Sequence, residues 1–260
     1  MDEINNTVEA AKNTSELANN FYSDIRPIVQ PVAKCIGAIL DLTSLPVQYM
    51  SERARINLKH RLEEYEKKME GVTEGNRCEV HPEIGVPIMQ LLHYTTNDEI
   101  ADMFTTLLKT ASIGDTASNA HPAFVEYIKQ MSPDEARIVK YLKNKSSIPH
   151  LTIRVYFKEE DKGFITPLKN AVSLCDDVAM IYPQNVGVYL SNLLSLGIIE
   201  DSGTMHLVDN SLYDKIIEYN HLDEAKKRYE QIPDFNRTED KKGYYSVTEI
   251  GRLFIKACCG

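Results

Sequence analysis

Hydrophobic residues along most of this chain recur every three or four positions, which is the spacing of an amphipathic helix. The segment 98–111 follows this template without a gap, through Ile100, Met103, Phe104, Leu107, Leu108 and Ala111. The segment 51–70 places a similar seam between charged faces, formed by Leu58, Leu62, Tyr65 and Met69. Because this second seam is too short for a free coiled coil, we expect it to dock on other helices.

Short polar motifs predict where several helices begin. Proline follows His81 and again follows His121, and proline is favoured in the first turn of a helix. Two residue pairs have the spacing of a capping box: Thr96 with Glu99, and Ser132 with Glu135. We therefore predict one helix after each of these four motifs.

The pattern changes after Lys145, where alternating apolar residues predict a strand at 151–157. Gly197 is placed to end a helix and turn the chain into a further strand. The other predicted elements are helices at 167–181 and 185–196, short strands at 205–208 and 244–247, and a final helix from Thr248. Helix, helix, strand, strand and helix in this order are typical of a winged helix.

The expected fold class is therefore mainly α, with an N-terminal helical module followed by a winged-helix-like α+β C-terminal module. A length of 260 residues suits two domains. We predict a polar helical arm at 1–22, a helical domain at 23–131 and a winged-helix-like domain at 132–260, which carries a charged helical insertion at 210–230.

Charge and composition exclude several classes of protein. The net charge of −9 and the absence of any basic third argue against a broad basic face that grips a phosphate backbone. The five cysteines form no CxxC pair and no metal-ligand spacing with histidine, so we expect neither a metal nor a cofactor. An acidic N-terminus without an apolar block favours a cytoplasmic protein. Prolines and charges interrupt the most apolar stretch, 25–50, so any membrane contact through residues 25–45 would be peripheral.

The chain resembles the bacterial Abi-alpha family, which is named for abortive infection. The residues that carry this resemblance are His81-Pro82-Glu83, the leucine-rich segment that follows, Ala117-Ser-Asn-Ala-His121-Pro122-Ala-Phe124, and Met131-Ser132-Pro133-Asp134-Glu135-Ala136. Near the C-terminus, Tyr189-Leu-Ser-Asn-Leu-Leu-Ser-Leu-Gly197 and Gly251-x-x-Phe254-x-x-x-Cys258 also match. The resemblance implies antiviral defence with no settled chemistry.

The resemblance marks five residues as signature and interaction candidates: His81, Pro82, His121, Pro122 and Phe124. The two histidines have two interpretations. They form a shared ligand or proton-transfer site, or they accept backbone hydrogen bonds at two helix starts and pack against Phe124. The second interpretation is the more ordinary one for histidines that precede proline.

One enzymatic alternative is an RNA-cleaving site. Arg55 and His60 are separated by four residues, which is the spacing found in HEPN ribonucleases, whose Arg and His act on an RNA phosphate and 2′-hydroxyl. A spacer this short is expected to occur ~1 time by chance in a chain of this composition. No motif for nucleotide binding or for a common hydrolase occurs in the sequence.

A DNA-binding winged-helix regulator is a second alternative. The helix at 185–196 would present Asn185, Tyr189 and Asn192 to base edges, while Lys241 and Lys242 in the wing would contact phosphates. However, the run from Gln184 to Ile199 contains no charged residue, so this helix brings no cation to the phosphate field. A winged helix used for protein contact fits this composition better.

We therefore expect a non-catalytic protein-interaction module of phage defence, which acts as a sensor, an adaptor or an effector. Its partner would be a phage or host protein, and self-association into a homo-oligomer fits the same surfaces. The alternatives are the ribonuclease, the DNA-binding regulator and an effector that contacts membranes through 25–45.

Overall fold

The computed structural model describes Phe21, Ser23, Ile25, Ile28 and residues 51–260 of the chain. These four N-terminal residues are helical, and three of them, Phe21, Ile25 and Ile28, are buried. The predicted arm at 1–22 and the predicted membrane-contact segment at 25–45 lie almost wholly outside the described residues. The chain divides into two compact units, Met1–Met131 with Lys256–Gly260, and Ser132–Ile255.

The first unit is helical. Its helices are α1 (Glu52–Met69), α2 (Pro82–Leu92), α3 (Asp98–Ala111) and α4 (Ala123–Lys129). Helix α1 packs on α3, and the apolar seam predicted for α1 is buried, because Leu58, Leu62, Tyr65 and Met69 are all almost completely covered. The expectation that this seam docks on other helices is confirmed, and those helices belong to the same chain.

Charged and polar contacts between α1 and α3 supplement this apolar seam. Arg61 is only 2% exposed, and its guanidinium donates to the Asp98 carboxylate at 2.7 Å. Lys68 donates to the Asp102 carboxylate at 2.7 Å, and the Tyr65 hydroxyl lies 2.5 Å from that of Ser112. Because a buried cation is costly without a partner, the Arg61–Asp98 pair fixes the register of α1 against α3.

The helix starts follow the predicted motifs, although two of them are shifted by one residue. Ser132 and Glu135 form the predicted capping box, in which Glu135 Oε2 accepts from the Ser132 amide at 2.6 Å. By contrast, α3 uses Asn97 as its N-cap, because Asn97 Oδ1 accepts from the Ile100 amide at 3.2 Å. Thr96 therefore lies outside the helix. Asn97 serves as the N-cap that the sequence had predicted for Thr96, and asparagine is among the best N-cap residues.

The second unit surrounds a four-stranded antiparallel sheet in the order β2-β1-β4-β3. Its strands are β1 (Ser147–Phe157), β2 (Phe164–Ala171), β3 (Ile199–Asp201) and β4 (Phe235–Val247). Its helices are α5 (Pro133–Leu142), α6 (Val186–Ser195), α7 (Ser211–Tyr219), α8 (Leu222–Glu230) and α9 (Glu249–Cys258), the last of which runs on into the residues assigned to the first unit.

The two faces of this sheet differ. On one face, Leu151, Ile153 and Val155 of β1 pack with Tyr213 and Ile216 of α7 and Leu222 of α8, which together form a buried core. Since side chains alternate along a strand, the residues between them, His150, Thr152, Arg154 and Tyr156, lie on the opposite face.

The predicted helix at 167–181 is wrong, because this part of the chain contains β2 followed by a short 3₁₀ turn at Leu174–Asp176. Three apolar residues of β2, Ile165, Leu168 and Ala171, are spaced by three, as in a helix. Their partners on β1 are Val155, Ile153 and Leu151, which are spaced by two. The two spacings differ because a bulge lies between each pair of partners and the next. Pro167 is tolerated because β2 is an edge strand.

The chain is mixed α and β rather than mainly α. Strands β1 and β4 contain 11 and 13 residues, whereas the sequence predicted shorter segments there. The segment 205–208 is not a strand but part of the connection between β3 and α7. The insertion predicted at 210–230 is helical, as α7 and α8, and Gly197 ends α6 with the positive φ of 69° that favours glycine.

We predict that Gly251→Ala destabilises the second unit by about 1–3 kcal/mol. A Cβ at position 251 would lie 2.1 Å from the carbonyl oxygen of Ile198, so the backbone must move. The matched control is Gly187→Ala in α6, where a Cβ meets nothing within 4 Å. This control is expected to gain about 0.5–1 kcal/mol, because alanine is the better helix former. Urea unfolding of both variants measures the difference, and equal stabilities would contradict the packing argument.

Candidate functional site

The two histidines of the signature motif both lie at helix starts. His81 Nδ1 accepts from the Glu83 amide at 3.4 Å, and His121 Nδ1 accepts from the Ala123 amide at 3.1 Å. The His121 ring also lies 5.7 Å from the ring of Phe124, which is buried. These contacts give both imidazoles a capping role. The alternative, in which the two histidines form a shared ligand-binding or proton-transfer site, stays a prediction.

The two prolines of the motif complete these helix starts. Pro82 occupies the first turn of α2, while Pro122 lies directly before α4, one position earlier than the sequence indicated. Proline suits both positions because the first amides of a helix have no partner within the helix.

A groove of about 560 Å³ lies in the first unit beside α1. His60 lines it together with Ile56, Tyr94 and other residues, but Arg55 is not among its lining residues. An α-helix turns by 100° per residue, so five positions separate the directions of Arg55 and His60 by about 140°. The structure therefore does not bring the two candidate ribonuclease residues together in this groove.

The polar groups around this groove hold the end of α2. The Asn57 amide donates to the carbonyls of Leu92, His93 and Thr95 at 2.7, 3.3 and 3.1 Å. Burial lowers the pKa of His93, which favours a neutral imidazole there. Asn57 thus has a structural task, which sequence spacing did not indicate.

The carboxylate of Asp134 holds the segment that leads into α6. Asp134 is almost completely buried, and it accepts from the amides of Ile181 and Tyr182 at 2.7 and 2.8 Å. It also accepts from the Tyr189 hydroxyl at 3.1 Å. The Arg137 guanidinium donates to the same carboxylate at 3.4 Å. A carboxylate with four donors is well satisfied when buried, so Asp134 fixes both the entry to α6 and one turn of the helix itself.

Most residues proposed to read DNA are engaged within the second unit. Tyr189 is buried, and Asn192 donates to Glu135 Oε1 at 2.7 Å. Lys242 donates to Asn210 Oδ1 at 2.7 Å. Lys241 and Lys242 are neighbours on β4 and therefore lie on opposite faces of the sheet. Asn185 is exposed directly before α6.

The segment 181–188 presents three exposed apolar side chains. Ile181 is 49% exposed, Tyr182 is 56% exposed and Val188 is 67% exposed. We call these three residues the α6 surface. They belong to the stretch 178–199, which contains no charged residue. Exposed apolar residues on a segment held by a buried carboxylate are typical of a contact surface.

A polar cluster around the buried His150 lies on the second face of the sheet. His150 Nε2 is 3.4 Å from Asp201 Oδ1, and its ring centroid is 4.6 Å from that of Tyr245. Gly243 opposes His150, and a Cβ there would lie 2.4 Å from His150 Cε1. Burial lowers the pKa of His150 and raises that of Tyr245 to about 12. The glycine leaves the space that the imidazole occupies.

No group of three or more histidine, cysteine, aspartate or glutamate side chains suited to a metal ion occurs among the described residues. In the same part of the chain, no helix combines the length and apolar character needed to cross a bilayer.

Comparison with known proteins gives a family match over most of the chain. The model of the abortive infection alpha family matches residues 54–258. No curated protein sequence matches the chain. The chain is also similar to the solved structure of an uncharacterized protein from the hydrocarbon-degrading marine bacterium Alcanivorax borkumensis SK2, with 14% sequence identity and a TM-score of 0.36. The alignment covers 53% of this chain and 92% of the other protein.

We expect Asp134→Asn to lower the free energy of unfolding by about 2–3 kcal/mol, since an amide replaces a carboxylate that accepts four hydrogen bonds, one of them from Arg137. Asp177→Asn is the matched control. It breaks the surface ion pair between Asp177 and Lys215, at 3.0 Å, and should cost about 1 kcal/mol or less. Urea unfolding followed by circular dichroism compares the two. A loss at Asp134 no larger than that at Asp177 would show that the anchor is unimportant.

The lowered pKa of His150 predicts a stability that falls with acidification. Between the lowered folded pKa and the ordinary unfolded value, the unfolded chain binds more protons, so stability is complete above about pH 6.5 and declines below it. Replacing the ring with one that does not titrate, in His150→Phe, should reduce the difference between unfolding free energies at pH 7.5 and pH 5.5. The same difference in both proteins would exclude His150 as its source.

Proposed function

Since this chain belongs to the abortive infection alpha family, we propose that it serves phage defence as a protein-interaction module and performs no catalysis itself. The observation that carries this proposal is the α6 surface, where Ile181, Tyr182 and Val188 are exposed within an uncharged segment. The partner is a phage or host protein, or a second copy of the chain.

The α6 surface is held in place before any partner arrives. Asp134 accepts from the backbone amides of Ile181 and Tyr182, so the contact residues are part of an ordered segment. A surface that is already ordered loses little conformational entropy on binding, which favours affinity. Tyrosine is enriched at the energetic centres of protein interfaces, which favours the exposed Tyr182 as a main contact residue.

The winged-helix assignment of the second unit supports the same function. The predicted order of helix, helix, strand, strand and helix lost its first helix, which is β2, and its strand at 205–208. The elements that still support a winged-helix-like arrangement are α5 and α6 with three strand segments: the first residues of β1, β3 and the last residues of β4. The register joins them into one small sheet, because Ser147 pairs with Ser246 and Ile199 pairs with Val247. The rest of β1 and β4, with β2, α7 and α8, enlarges the wing. A winged helix whose recognition helix has no charge suits protein contact.

The domain division belongs to this proposal as well. We place the helical domain at 23–131 and the winged-helix-like domain at 132–260, so that the interaction surface lies in the second. The alternatives have no specific observation in their favour. Arg55 does not line the groove that contains His60, and Tyr189 and Asn192 are engaged with carboxylates of α5.

We predict that Val188→Asp abolishes phage protection while the protein stays folded. Val188 is 67% exposed, so its replacement leaves the core intact. An unpaired charge within a protein interface, however, lowers affinity by about tenfold or more, which corresponds to ~1.4 kcal/mol of binding free energy for each factor of ten. The control is Val208→Asp, the same change at a residue that is 96% exposed on the connection between β3 and α7. Plaque counts, with circular dichroism of both purified variants, measure the effect.

Equal protection by the two aspartate variants would refute the role of the α6 surface. The ribonuclease alternative is checked in parallel by incubating the purified protein with total RNA. We expect intact RNA, and cleavage that disappears in His60→Ala would replace the present proposal with a catalytic one.

A further inference from the structure

The second face of the sheet carries cations and aromatic rings side by side. Arg154 and Tyr156 of β1 lie on this face, and Tyr156 is directly opposite Arg237 of β4 and Phe164 of β2. Lys241 of β4 lies on the same face, opposite Thr152. We call Arg154, Tyr156, Phe164, Arg237 and Lys241 the basic sheet face.

The arginines of this face lie on its rings. The Arg154 guanidinium carbon is 4.5 Å from the centroid of Phe164, and that of Arg237 is 4.1 Å from the centroid of Tyr156. The two rings are themselves 5.3 Å apart. Four side chains from three strands therefore form one continuous layer of guanidinium groups and aromatic rings.

The cations of the basic sheet face have no ion-pair partner among the described residues. Arg154, Arg237 and Lys241 take part in none of the ion pairs that the described chain forms, whereas Lys226 on the other side of the sheet contacts two carboxylates. Glu239 lies on the basic sheet face, opposite Arg154, and accepts from the Tyr156 hydroxyl. The three cations thus share this face of the sheet with two carboxylates, Glu239 and, beside His150, Asp201, in a chain whose net charge is −9.

One end of this face is partly accessible, whereas His150, Thr152 and Tyr245 at its other end are buried. Helices α7 and α8 cover the opposite face and bury its aliphatic residues. On the basic sheet face, by contrast, Phe164 is 44% exposed and Arg237 is exposed. The exposed Phe164 ring, with the Arg154 guanidinium on it, offers a stacking surface and a positive charge to a ligand that is both flat and anionic.

We propose that the basic sheet face binds single-stranded nucleic acid. Bases would stack on the exposed rings and on the guanidinium planes, and phosphates would contact Arg154, Arg237 and Lys241. A duplex buries the faces of its bases, so it offers the phosphates without the stacking. An anionic membrane or an acidic protein would likewise pair with the cations but would offer no bases to stack on the rings. This proposal does not rest on the α6 surface, so the functions proposed for the two surfaces can be tested independently.

The test measures binding of the full chain to fluorescent oligouridine, oligothymidine and a duplex of the same length by anisotropy. We expect single strands to bind at least about tenfold more tightly than the duplex, because base stacking is available only to them. The comparison between oligouridine and oligothymidine identifies RNA or DNA as the ligand. With three phosphate contacts to a single strand, the logarithm of the association constant should fall with the logarithm of the salt concentration, with a slope of about −2.

Charge and stacking are separated by variants. Arg154→Ala with Arg237→Ala should lower affinity about tenfold or more and reduce the magnitude of the salt slope by about 1.4. Lys227→Ala with Arg228→Ala is the matched control, because it removes two exposed cations from α8, which packs against the other side of the sheet. This pair changes the net charge equally and should leave the affinity unchanged.

The aromatic contribution has its own pair of variants. Phe164→Leu keeps an apolar side chain but removes the ring, and should lower affinity about fivefold or more. Tyr156→Phe keeps the ring and removes only the hydroxyl that bonds Glu239, so binding should persist. Arg154→Lys with Arg237→Lys retains both charges without the planar group. We expect it to preserve the salt slope with weaker binding.

Several outcomes would overturn the proposal. They are the absence of oligonucleotide binding, equal affinity for duplex and single strands, an equal loss in the α8 control pair, and no effect of Phe164→Leu. Competition by anionic vesicles as strong as that by unlabelled oligouridine would assign the face to membranes instead. Circular dichroism establishes folding, and if the double alanine variant unfolds, the double lysine variant and Phe164→Leu decide the question.

Discussion

The second unit depends on the antiparallel pairing of β1 with β4, which runs from Ser147 opposite Ser246 to Tyr156 opposite Arg237. A strand places alternate residues on alternate faces, so this register determines what each face of the sheet contains. A slip by one residue would move Leu151 and Ile153 out of the core and bring the polar residues Thr152 and Arg154 into it. The same register brings Arg154 and Tyr156 to the opposite face. The apolar core and the basic sheet face are thus two results of a single alignment of two strands.

Local signals in the sequence predicted the elements whose structure is decided locally. The apolar spacing of α3, the capping box of Ser132 and Glu135, and the glycine that ends α6 all rely on residues a few positions apart. The predicted helix at 167–181 failed for the opposite reason. Its apolar spacing of three reflects bulges in β2, which are formed only against β1. The length of β4 was equally hidden, since its charged residues match a strand only when β1 lies beside them.

The candidate sites show the same division. The uncharged character of the stretch around α6 was visible in the sequence, and it remains the basis of the proposed protein contact. Asp134 was not recognised, because it looked like an acidic residue in the first turn of a helix. Its acceptor role requires the amides of Ile181 and Tyr182, which are distant in sequence. The arginine and aromatic layer was missed likewise, since Arg154, Phe164 and Arg237 come from three separate strands.

The contact between Gly243 and His150 links two distant positions of the chain. The imidazole occupies the volume that any side chain at 243 would need, as the 2.4 Å separation from a Cβ shows. These two positions therefore cannot vary independently during evolution. A lineage that gains a larger residue at 243 must first or simultaneously accept a smaller one at 150, and it then gives up the imidazole beside Asp201 and Tyr245. Sequence covariation between these columns would record this exchange of volume across the sheet.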